Sequence, residues 1–219
     1  MRRKSLGLVM IALFALTLAL PVTAEADSED ESGSWDFTVY LNDKKIGKHS
    51  FEVVDTGEVT RVQSEANFKY TILLIPAFRY EHRNAEQWAG NCLMRFDAQT
   101  NSNGDRIQVS GERMGNAFQV DNGESPVDLP ECIMSFAYWN PDFLEQPRLL
   151  NPQTGEYVDV TVEEVGDEVL QIRGQDVEAT RFRLTAYDVD LTLWYSKDDE
   201  WLALESVAKG KHIIRYELS

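Results

Sequence analysis

The sequence predicts an all-β protein, mainly antiparallel, whose single curled sheet forms an open barrel or roll with at most one or two short helices. Three observations lead there. Apolar and polar residues alternate with a period of two along most of the chain, as at Trp35, Phe37, Val39 and Leu41. Turn-forming clusters such as Asn42-Asp43 and Asn101-Ser102-Asn103-Gly104 break this pattern again and again. The count that results, roughly ten to twelve short strands, is too many for a flat sheet, which must curl on itself or split.

Residues 1–24 read as a secretory signal peptide. Arg2, Arg3 and Lys4 precede an apolar run over 6–20, and Val22-Thr23-Ala24 supplies small residues for cleavage after Ala24, with Ala26 as an alternative. The run is shorter than the about 20 apolar residues that a spanning helix needs, so no stable membrane insertion is expected after cleavage. Export to the periplasm is the expectation. Residues 25–33, small and acidic, read as a disordered leader, and residues 34–219 as one β-rich domain.

The strands follow in order. After 35–41 the chain turns at Asn42-Asp43-Lys44-Lys45 and returns over 46–54; 59–70 alternates again, with Val62, Ser64, Ala66, Phe68 and Tyr70 on one side. Residues 72–78 are continuously apolar around Pro76, which suits an edge, a bulge or a crossing loop because proline cannot donate to a ladder. Strands are expected at 79–88, 92–100, 106–112 and 117–120. The apolar stretch 132–139 fits a buried strand or a short helix. Asn140-Pro141-Asp142 is a helix start that Pro147 stops within two turns. Beyond Asn151-Pro152-Gln153-Thr154-Gly155, strands are expected at 157–165, 168–173, 175–186, 189–195, 201–208 and 211–218.

Charge and cysteine usage narrow the function. The net charge is −16, and removing 1–24 takes away three cations and no acidic residue, leaving −19. Such a field disfavours nucleic acid and anionic lipid surfaces as partners. Cys92 and Cys132 form an isolated pair in an exported chain, which points to a disulfide. The histidines His49, His82 and His212 are far apart, and neither His-Glu-x-x-His nor paired Cys-x-x-Cys occurs, so no metal and no cofactor are expected. Oligomeric state is left open.

Two groups of residues carry the functional expectation. In Arg79-Tyr80-Glu81-His82-Arg83, Tyr80 and His82 share one face and the three charged residues the other. Tyr138, Trp139 and Trp194 are aromatics suited to line a concave sheet, with Asn140 and Asn151 as polar anchors near one rim. The expected function is therefore a non-enzymatic binder of a lipid-like small molecule, through Tyr138, Trp139, Asn140, Asn151, Tyr80, His82 and Trp194. The alternative is an enzyme of lipid or cell-envelope metabolism using His82 with Glu81 or Tyr80. No catalytic constellation is recognisable.

The segments Tyr80-Glu81-His82-Arg83 with Glu86 and Trp88, Cys92-Leu93, Tyr138-Trp139-Asn140-Pro141, 150–155 and Leu193-Trp194-Tyr195 together resemble a family of small exported proteobacterial proteins known as a domain of unknown function. The resemblance spans nearly all of the chain after the signal. It implies the compartment and an open barrel or roll, and it carries no active residues.

Overall fold

A computed structural model of the protein describes residues 31–72, 75–187, 189–208 and 212–219. The expected signal peptide, and the leader up to residue 30, lie outside the described residues. The first strands are β1 (Glu31–Leu41), β2 (Lys44–Asp55), β3 (Thr60–Ile72), β4 (Ile75–Ala89) and β5 (Cys92–Ser102), then β6 (Asp105–Met114), β7 (Ala117–Asp121) and β8 (Val127–Pro130). Two short strands follow, β9 (Arg148–Leu150) and β10 (Tyr157–Asp159), and the chain ends with β11 (Thr161–Ile172), β12 (Gln175–Thr185), β13 (Asp190–Ser196), β14 (Trp201–Ala208) and β15 (His212–Leu218).

Each half of the chain is a meander of antiparallel neighbours, because short turns can join only adjacent antiparallel strands. One pairing unites the halves. β15 lies beside β1, with Leu218 opposite Phe37 and Ile214 opposite Leu41, giving a 13-stranded sheet that runs from β11 at one edge to β8 at the other. Among the described residues the two edges do not pair with each other, so the curled sheet stays open there.

The period-two pattern fixes which face is concave. Phe37 and Val39, Phe51 and Val53, Val62, Ala66 and Phe68, Trp88, Phe96 and Ala98 all enter one buried core. Residues 131–160, between β8 and β11, cross inside that hollow. The Ser135 hydroxyl donates to Glu86 on β4 (2.9 Å), and the Tyr195 hydroxyl on β13 donates to the Tyr138 carbonyl (2.8 Å). Ile133, Met134, Ala137, Phe143, Leu149 and Leu150 are buried along this crossing segment. It is the filling of the roll. The disulfide Cys92–Cys132, with Cα atoms 4.7 Å apart, ties its start to β5.

Several elements differ from the sequence expectation for local reasons. Residues 31–33 belong to β1, opposite Val53 to Asp55, since backbone pairing does not require apolar side chains. Of the three possibilities around Pro76 the bulge is found: at the end of the β3–β4 hairpin a register shift between Tyr70 and Thr71 sets Pro76 opposite Thr71. The expected strands 157–165 and 168–173 are not separated at 166–167: β11 runs through with a bulge, where Gly166 takes a φ of 129°. Residues 132–139 are neither strand nor helix, apart from a single parallel bridge between Ser135 and Leu150. The helix start at Asn140 does appear. It opens a 3-10 turn over Pro141–Glu145, with the Asn140 side chain accepting from the Asp142 amide.

A second, smaller core lies on the convex face. Trp194, Leu202 and Ala179 pack together there, with Leu170 and Val177 of the β11–β12 hairpin against them. The hairpin tip reaches the C-terminus, where the Arg173 guanidinium donates to the Ser219 carbonyl (2.7 Å).

Candidate ligand-binding site

Strand register places the polar residues of the concave face in rows. His49 on β2 is opposite Ala66 on β3, Ala66 is opposite His82 on β4, and His82 is opposite Thr100 on β5. The row on one side carries Gly47, Phe68 and Tyr80; the row on the other carries Phe51, Ser64, Asn84 and Ala98. The small residues bring the backbone close, and at Gly47 a Cβ atom would stand 1.9 Å from the Asn67 carbonyl oxygen. Two histidines therefore flank an alanine on a wall of aromatic and small side chains.

Aromatic rings frame this row. Tyr80 stacks on Phe68 with centroids 5.4 Å apart, and on His82 at 6.3 Å. His49 lies 4.2 Å from Phe51 and bonds through Nδ1 to the Tyr216 hydroxyl at 3.3 Å. The His82 Nδ1 meets the Thr100 hydroxyl at 2.9 Å. Tyr138, from the crossing segment, packs on Trp201 at 5.2 Å and on Phe143 at 5.7 Å.

Burial sets the charge state of these groups. Desolvation, with a smaller contribution from His82, lowers the His49 pKa to about 3, and desolvation lowers that of His82 to about 4. The phenols of Tyr80, Tyr138, Tyr195 and Tyr216 are pushed up by the same cause. At neutral pH the face thus presents neutral imidazoles and protonated phenols. A histidine so far below 7 is a weak general base.

Two features mark this face as more than packed core. Desolvation pushes the phenols of Tyr138 and Tyr216 up, while each residue as a whole is only half-buried. Buried polar atoms are also left without partners: His49 Nε2, Asn84 Oδ1 and Trp139 Nε1. Buried polar groups are normally bonded, and an unmade bond at such a site costs roughly 1–3 kcal/mol. Water or a ligand would supply the missing partners.

The expected site residues separate. Tyr80, His82 and Tyr138 stand on the concave face. Trp139 packs edge-on against Trp88 with centroids 5.7 Å apart. The Asn140 side chain donates to Asn91 and caps the 3-10 turn, and the Asn151 side chain accepts from the Gln153 amide, so both amides are engaged in protein hydrogen bonds. Trp194 lies on the convex face, its indole donating to Glu168 (2.6 Å), because Leu193 and Tyr195 take the inward positions. Glu81 also points outward and pairs with Arg79 (2.5 Å), while Tyr80 donates to Gln153 (2.6 Å). Neither of them bonds to His82.

His49, Tyr216 and Asn84 escaped the sequence reading, although a signal existed. His49 shares the parity of Phe51 and Val53, and Tyr216 that of Ile214 and Leu218. Elsewhere the surface is shallow and solvated. One depression on the convex face is lined by Glu52, Glu65, Arg83 and Asp97, another by Asp167, Glu178, Thr180 and Lys197. Among the described residues no three His, Cys, Asp or Glu side chains converge as metal ligands.

Comparison with known proteins supports the architecture. A crystal structure of a β-barrel-like protein of domain of unknown function DUF1849 from Brucella abortus superposes with a TM-score of 0.61 at 8% identity, covering 86% of this chain and 94% of that one. At that identity the likeness shows the fold alone. No curated protein matches the chain in sequence. The family model described as domain of unknown function (DUF6134) matches residues 37–219, the entire curled sheet after the first residues of β1, and the chain belongs to that family.

Proposed function

We propose that the protein is an exported, non-enzymatic periplasmic binder that holds an apolar or amphipathic, lipid-like molecule against the concave face of its sheet. The observation that carries this reading is the buried His49 Nε2, left without a partner while Nδ1 is held by Tyr216, on a face walled by aromatic rings. Aromatic walls supply contact area, and a few neutral polar groups orient one end of the molecule. The enzymatic alternative draws less support, since Glu81 faces away from His82 and the nearest polar partner of His82 is the Thr100 hydroxyl. The net charge of −16 disfavours nucleic acid as a partner.

Displacement of an apolar fluorescent dye tests the proposal. Wild-type protein should bind the dye, Tyr138→Ala should weaken binding by about tenfold, and Trp194→Ala, altered on the convex face, should leave it unchanged. Absence of dye binding by folded wild type overturns the proposal. Loss confined to Trp194→Ala moves the site to the other face.

A further inference from the structure

We infer that the interior site selects an uncharged head group able to donate and accept hydrogen bonds, such as the glycerol hydroxyls of a monoacylglycerol, over the ionised head of a fatty acid or an alkylammonium. The inference rests on the concave face being the ligand site, and it narrows the ligand.

Apart from Glu86 and the Trp88 indole, the polar groups described above on this face are imidazole, phenol, hydroxyl and amide. The buried carboxylate there, Glu86, already accepts from Asn84 (2.8 Å), Ser135 (2.9 Å) and the Trp88 indole (3.0 Å). The charges nearest in sequence point outward and neutralise one another, Arg79 with Glu81 and Arg83 with Glu65. At the turn between β1 and β2, Lys44 is committed to the Thr71 carbonyl and lies 4.4 Å from the centre of the Tyr70 ring. An ionised head drawn inside would lose its water and find no free opposite charge, which costs far more than burying a hydroxyl that finds a partner.

His49 supplies the positive argument. It is 9% exposed, one ring nitrogen is engaged by Tyr216, and the other has no partner. A neutral imidazole donates at one nitrogen and accepts at the other, and the direction of the Tyr216 bond decides which. A hydroxyl satisfies Nε2 in either case. A carboxylate satisfies only the donating tautomer, and an alkylammonium without N–H satisfies neither.

Calorimetric titration of protein purified from the periplasm of an expressing host, with monolauroylglycerol, laurate and dodecyltrimethylammonium below their aggregation concentrations, tests this. At pH 7.5 the monoacylglycerol should bind at least about tenfold more tightly than either ion. His49→Phe, which removes the unpartnered nitrogen, should weaken the monoacylglycerol several-fold and narrow its lead over the two ions, with circular dichroism confirming the fold. Equal or tighter binding of laurate or of the ammonium overturns the head-group inference while leaving the lipid-binding proposal standing. Binding of none of the three overturns both. Should His49→Phe fail to fold, the ranking of the three ligands on wild type decides alone.

Discussion

Glu86 and His49 are both buried on the concave face of one sheet, and they are satisfied in opposite ways. Glu86 accepts three hydrogen bonds, one of them from Ser135 of the crossing segment. His49 has one long bond, to Tyr216, and a nitrogen with none. The first arrangement holds structure together, since each donor would be costly to leave unpaired. The second leaves hydrogen-bonding capacity unused, as a receptive site does. Mutations should therefore damage stability most around Glu86 and Cys132, and binding most around His49.

The largest expected effect is loss of the covalent tie. Replacing Cys92 and Cys132 by serine removes a link across 40 residues and should cost roughly 4 kcal/mol in urea unfolding. Next comes Glu86→Ala, which strands the donors of Trp88, Ser135 and Asn84 and should cost about 3 kcal/mol. If Glu86→Ala proves neutral, the contrast with His49 collapses.

Acid should act through the histidines. Both have folded pKa values below the ordinary 6.5, at about 3 for His49 and about 4 for His82, so the unfolded chain binds protons first as pH falls. Their stability contribution is intact above pH 6.5 and is lost on acidification from there toward those folded values. Between pH 7 and 5 the loss should be about 2 kcal/mol per histidine. Glu86 acts in the other direction, because burial raises its pKa and acid relieves the buried charge. The difference between wild type and His82→Gln isolates the histidine contribution: the variant should lose less stability over that interval. A parallel pH profile would show that His82 does not protonate on unfolding.

The smallest expected effect lies on the convex face. Arg83→Ala breaks the pair with Glu65, whose side chains are 74% and 54% exposed, and should change stability by under about 0.5 kcal/mol. A larger loss would mean that this face carries structural weight.

The fold was largely legible because strands with one wet face write their orientation into alternate residues, as Phe37 and Val39 or Tyr80 and His82 do. Legibility failed where both neighbours of a residue are apolar. In Leu193-Trp194-Tyr195 parity names no inward face, and Trp194 falls outward to support a second core that local sequence does not announce. The crossing segment was opaque for a related reason: its apolar run packs on every side inside a hollow made by distant strands, so neither helical nor strand periodicity is imposed on it. The paired cysteines were readable without any of this. Asn140 was readable as a helix cap but not as a residue already occupied by Asn91, a partner 49 positions away.

The most direct test of the central contrast is side-chain NMR during titration with monolauroylglycerol, following the ring nitrogens of His49 and the indole N–H groups of Trp88 and Trp194. His49 Nε2 should shift strongly, the Trp88 indole held by Glu86 should change little, and Trp194 on the convex face should not move. Saturable binding that leaves His49 unperturbed and shifts Trp194 instead would contradict that contrast.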